Sequence, residues 1–134
     1  MSKVKAINHV ALVVDDMEKS LSFWRDALGM ELRELRDVPA EKSQVAFLPL
    51  EGSEIELVRP TSDDSGIASY LAKRGAGMHH ICVEVDDLGG MLAQLKSKGI
   101  RLINDQPRTT SDGRQYAFVH PESTSGVLLE LYQI

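Results

Sequence analysis

Apolar positions along this chain fall into two kinds of run. Ile7 to Val14 is a mostly β-branched and apolar stretch closed by Asp15 and Asp16, and Met78 to Val85 is a second one closed by Asp86 and Asp87. Such runs predict strands, and an aspartate at the end of each is placed to cap a helix. Helical spacing follows in both cases: Met17, Leu21, Trp24 and Leu28 share one face up to Gly29, and Leu88, Leu92 and Leu95 share one up to Gly99. Short strands come next, at about 30–36, 44–50 and 54–59 and again at about 101–104, 115–120 and 127–132, with turns at 51–53 and 122–126. Between the two series, Asp63, Asp64 and Ser65 cap a short helix carrying Ile67, Tyr70 and Leu71, which Gly75 and Gly77 stop.

The two series are copies. His9 lies over His80 at an offset of 71, and Gly29 over Gly99, Ala46 to Leu48 over Ala117 to Val119, and Glu56 over Glu130 follow with little drift. The fold predicted is α+β: one domain, 1–134, built of two tandem βαβββ modules at about 4–60 and 76–134, joined by a linker helix at about 63–75.

Composition narrows the function. With 134 residues, 43% hydrophobic and 26% charged, the chain is an ordinary globular domain. Fifteen Lys+Arg against 20 Asp+Glu give a net charge of -5 without a basic block, so nucleic acid is not expected as a partner. Its one cysteine, Cys82, excludes an internal disulfide and suits a reducing compartment, and no apolar run is long enough to span a membrane; the cytoplasm is the expected location.

Alternate strand residues share a face, and this gives the duplicated polar residues a meaning. Val10, Leu12 and Val14 take the helix-packed side, which turns His9 to the other. The same phase turns His80, Glu56 and Glu130 that way, since Ile81, Val83 and Val85, Ile55 and Leu57, and Leu129 and Leu131 are their core-side neighbours. Two carboxylates facing one enclosed space repel unless a cation or protons intervene. Two imidazoles beside them complete a donor set suited to Co, Mn, Ni, Zn or Fe(II), so a divalent metal ion is the predicted cofactor. The remaining candidates read as structural. His79 is a buried hydrogen-bonding residue, His120 a turn residue before Pro121, and Cys82 a packing residue on the phase of His80; Lys73, Arg74, Arg108 and Arg114 are surface cations.

Three stretches carry a family likeness: Ile55 to Pro60, Ile67 to Ile81 with Lys73-Arg74-Gly75-Ala76-Gly77-Met78-His79-His80, and Phe118-Val119-His120-Pro121 through Gly126 to Leu131. The chain resembles the vicinal oxygen chelate superfamily and, within it, the methylmalonyl-CoA epimerases. That resemblance implies an open, cup-shaped mixed sheet around a metal held by His9, Glu56, His80 and Glu130. It also implies an acyl-CoA substrate, epimerised by α-proton abstraction with Glu130 as one acid/base group. The family's second glutamate falls on Val45, which cannot transfer a proton, and Glu41 in the preceding loop is the substitute considered. A glyoxalase I-like lyase and a non-catalytic binding protein of the bleomycin-resistance type are the alternatives. Small modules leave exposed sheet edges, so a homodimer is expected.

Overall fold

The computed structural model describes all 134 residues. In chain order the elements are β1 (Val4–Val13), α1 (Met17–Leu21), β2 (Glu34–Val38), β3 (Ser43–Leu50), β4 (Ser53–Pro60), α2 (Gly66–Arg74), β5 (Gly77–Val85), α3 (Leu88–Ser97), β6 (Arg108–Thr109), β7 (Gln115–Val119) and β8 (Leu129–Gln133). Each copy runs strand, helix, three strands, the first short strand of the second copy forming at Arg108–Thr109 and not at the expected 101–104, and parallel and antiparallel pairing coexist, as the α+β reading requires. No helix is long and apolar enough to cross a membrane. The chain divides into two compact units, Val10–His79 and the combination of Met1–His9 with His80–Ile134.

In the unit Val10–His79 the strand order is β2-β3-β4-β1, with β1 parallel to β4 and the other pairs antiparallel. Asp16 caps α1 by accepting from the Lys19 amide at 3.1 Å. Met17 and Leu21 then reach a core of Val14, Ala46, Leu48 and Leu57, with Leu12 and Trp24 packed against it. Leu21, Leu48 and Leu57 are fully buried, each contributing about 1.5–3 kcal/mol over an exposed side chain. The predicted single α-helix through Leu28 is not formed. After Leu21 the backbone widens into a π-helical stretch, Ser22–Ala27, in which the Leu28 amide donates to the Phe23 carbonyl. The wider turn rotates later residues off the stripe, and Leu28 is 56% exposed. β1 departs from expectation too: Ala11 and Val13, on the His9 phase, are fully buried, whereas Val10 and Leu12 are half-buried. Ser65 caps α2 through the Ala68 amide, and Gly75 ends it at φ +76.

The other unit orders its strands β5-β8-β7-β6, with β5 parallel to β8. Its core joins Leu88, Met91 and Leu92 of α3 to Val85, Ala117, Val119 and Leu131. Asp87 caps α3 by accepting from the Gly90 amide at 3.1 Å. A Cβ at position 90 would run into that carboxylate, which would have to shift to admit any other residue. Asp86 acts on the other end of the chain. Its Oδ1 accepts from the Ser2 hydroxyl at 2.8 Å and the Lys3 amide at 2.9 Å, which ties the N-terminal segment to this unit. The strand predicted at 101–104 shrinks to one bridge between Leu102 and Val119. There the Asn104 side chain accepts from the Phe118 amide at 2.9 Å, taking a place that a neighbouring strand's carbonyl would otherwise fill.

Candidate metal centre

Three of the four predicted donors meet inside the second unit. His9 comes from β1, His80 from β5 and Glu130 from β8. The Nε2 atoms of the two imidazoles are 3.1 Å apart. Glu130 Oε1 lies 3.1 Å from His80 Nε2 and 3.4 Å from His9 Nε2, with about a tenth of each side chain exposed. Strand pairing explains the convergence: Glu130 is in parallel register with Cys82, one phase step from His80, and across the antiparallel pair it faces Phe118. The Phe118 and His80 rings stand edge to face, with centroids 5.6 Å apart.

The triangle has the dimensions of a coordination polyhedron. With metal to donor distances of about 2.1 Å, donors at right angles stand roughly 3.0 Å apart and donors at the tetrahedral angle roughly 3.4 Å. All three observed edges fall in that interval. Electrostatics agrees with the donor role. Burial pushes the Glu130 carboxyl up, but hydrogen bonds from His80 and His9, together with their charge, outweigh it and hold the group down at about 2. Glu130 is therefore an anion across the physiological range, with two imidazole nitrogens directed at one of its oxygens.

Glu56 belongs to the other unit. It sits on β4, half-buried, in register with Ala11 on β1 and Phe47 on β3. The guanidinium groups of Arg33 and Arg36 each stand 4.9 Å from the centre of the Phe47 ring. In the same unit Glu41 ends the exposed turn Pro39–Glu41, and Val45 is buried in β3 between Arg36 and Val58.

The residues read as structural are placed as follows. His79 is half-buried rather than buried, its ring packed on Tyr70 of α2 with centroids 4.6 Å apart. His120 caps the turn Pro121–Thr124 by accepting from the Glu122 amide at 3.0 Å. Lys73, Arg74, Arg108 and Arg114 are exposed, and Arg74 and Arg114 stand over the rings of Tyr70 and Tyr132. Cys82 is fully buried, as a packing residue should be. It also lies in the site, in a group with His9 and Glu130 whose ligand-capable atoms are all within 4.8 Å of one another. Its shared phase with His80 was the available signal. Asn8, whose Oδ1 is 2.7 Å from His9 Nδ1, gave none.

The tandem βαβββ repeat defines the class of fold. The model of the Glyoxalase/Bleomycin resistance protein/Dioxygenase superfamily matches residues 6–131, and the chain belongs to it. Within it the chain is similar to methylmalonyl-CoA epimerases. It is 40% identical to the mitochondrial methylmalonyl-CoA epimerase of Mus musculus over 98% of this chain and 74% of that one. It is 37% identical to the ethylmalonyl-CoA/methylmalonyl-CoA epimerase of Cereibacter sphaeroides over 96% and 97%. A solved methylmalonyl-CoA epimerase in complex with methylmalonyl-CoA superposes with a TM-score of 0.85 at 31% identity, covering 98% of this chain and 95% of that one. A probable lactoylglutathione lyase of Arabidopsis thaliana is 31% identical over 93% of this chain, which spans 35% of the lyase.

Proposed function

We propose that this chain is a metal-dependent epimerase of methylmalonyl-CoA or a similar 2-substituted acyl-CoA, acting in the cytoplasm as a homodimer. The observation that carries the metal is the triangle of His9, His80 and Glu130, whose edges of 3.1 to 3.4 Å suit donors around one divalent ion. Glu56, the duplicate of Glu130, is the fourth ligand by the repeat and the family resemblance. Co, Mn, Ni, Zn and Fe(II) all suit imidazole and carboxylate, and supply decides among them. Similarity to epimerases over nearly the whole chain supports the acyl-CoA substrate.

A divalent ion bound here supplies positive charge where the thioester oxygen becomes negative as the α-proton leaves. The protein does the rest. His9 and His80 would hold the ion through Nε2, and Glu130, loosened from it, would be the ionised group that takes the α-proton on one face. On the opposite face Val45 offers no proton, so Glu41 or a water returns it there.

Solvent deuterium incorporation into methylmalonyl-CoA tests this, with metal content and inversion followed on the same sample. Exchange faster than inversion is expected, and Val45→Glu should raise inversion more than exchange. Metal-loaded protein that neither exchanges nor inverts the thioester refutes the epimerase. Turnover of a glutathione hemithioacetal by the same sample would establish the lyase instead.

A further inference from the structure

The polar side chains behind His9 form a short relay within one compact unit, and none of it is used by the chemistry above. Asn8 Nδ2 donates to Glu84 Oε2 at 3.0 Å, and Asn8 Oδ1 lies 2.7 Å from His9 Nδ1. Neighbouring side chains on a regular strand point to opposite faces. A 2.7 Å contact between residues 8 and 9 is therefore no by-product of extended backbone. The Asn8 side chain has to be drawn round, and Glu84 supplies the pull. Glu84 lies on β5 in the phase of His80 and Cys82, and it pairs in register with Tyr132, whose hydroxyl accepts from Arg114 at 3.4 Å.

We infer that Asn8 and Glu84 are positioning residues that fix which nitrogen of His9 is the donor to the metal. This rests on the metal reading proposed above. A carboxylate only accepts, so the amide of Asn8 must turn its nitrogen to Glu84 and its oxygen to His9. An acceptor oxygen beside Nδ1 places a proton there. The neutral ring then carries its lone pair on Nε2, the atom that faces His80 Nε2 at 3.1 Å and Glu130 Oε1 at 3.4 Å. The polarity of the relay, carboxylate to amide to imidazole, keeps a proton on Nδ1, so that Nε2 is the nitrogen left to take an ion when its own proton is displaced.

The test is zinc affinity of the full chain by competition with a chelator, with folding checked by circular dichroism. Asn8→Ala should weaken zinc binding by about 10- to 100-fold, and Glu84→Ala in the same direction. Asn8→Asp alone sets two carboxylates against each other. Combined with Glu84→Gln it restores an acceptor toward His9 and a donor behind it, and should recover most of the loss, which a merely structural role does not explain. In the zinc-loaded wild type, nitrogen-15 spectra should show a slowly exchanging His9 Nδ1 proton that loses its protection in Asn8→Ala. Wild-type affinity in Asn8→Ala, alongside lost binding in His80→Ala, overturns the relay and leaves the metal site standing. So does a zinc-loaded His9 without an Nδ1 proton, or a double variant no better than Asn8→Asp. A folded wild type that binds no zinc overturns the relay and the metal reading together.

Discussion

Removing the Glu130 charge should flatten the acid response of the metal-free protein. Burial pushes this carboxyl up, but its hydrogen bonds from His80 and His9 and their charge bring it to about 2, against an ordinary value of 4.5. A group whose folded value is depressed adds stability above its unfolded value, and that stability is lost as pH falls toward the folded one. Each tenfold change in proton affinity is worth about 1.36 kcal/mol, so the gap amounts to about 3 kcal/mol. With 13% of the side chain exposed, solvent screening takes little from it. The loss falls between about pH 5 and pH 2, the interval between the unfolded and folded values of Glu130. Urea unfolding in chelator at the two ends of that range is the assay. Wild type should lose about 3 kcal/mol more than Glu130→Gln, a large share of a typical total of about 5–15 kcal/mol. The effect should shrink more in His80→Ala than in His9→Ala, because His80 is the nearer partner at 3.1 Å against 3.4 Å. Parallel curves for wild type and Glu130→Gln refute the reasoning.

Two further outcomes test how the unit that holds the site is kept together. The Lys3 amide and the Ser2 hydroxyl hold the Asp86 carboxyl below its ordinary 3.8, so the anchor they form is present above that value and lost as pH falls below it. Asp86→Ala should speed hydrogen exchange at the Lys3 amide at neutral pH, and rates equal to wild type after intrinsic correction dismiss the anchor. Gly90→Ala should leave Tm close to that of wild type, because the new methyl displaces the Asp87 cap at a cost of about 1 kcal/mol. Alanine is the better helix former by about as much, so a Tm raised by that full gain shows that the cap survives the substitution.

The repeat made most of the fold legible, because each half is evidence for the other. Leu88 and Leu92 on α3, the strand phases of Val83 and Val85, and the pairing of Glu56 with Glu130 all follow from patterns seen twice. The errors lie where a local hydrogen bond overrides the pattern. Leu28 has the spacing of a helical stripe, yet one widened turn after Leu21 exposes it, and no residue type announces such a turn. Leu102 to Asn104 carries strand residues, yet the Asn104 side chain bonds to Phe118 and the ladder contracts to a bridge. For the site, period-two alternation is enough to set His9, His80 and Glu130 on faces that can meet. The same alternation hides Asn8, because it assigns neighbours to opposite faces and so excludes the contact that is found.

The copies and the compact units do not share a boundary, and this bears on how the site is assembled. By the repeat, His9 belongs to the first module; by contacts, Met1–His9 belongs with His80–Ile134. The reason is visible in the bonds: Ser2 and Lys3 hold Asp86, and Asn8 holds Glu84, so both ends of the N-terminal segment are tied to one stretch of β5 and the residue after it. A duplication alone would give each module one imidazole and one carboxylate, a poor site by itself. Because the first strand's opening residues fall with the second unit, both imidazoles and one carboxylate lie in one compact unit. Separating the chain at α2 would therefore remove His9 from the fragment that keeps His80 and Glu130. The integrity of the centre depends on the first nine residues as much as on the strand that carries Glu130.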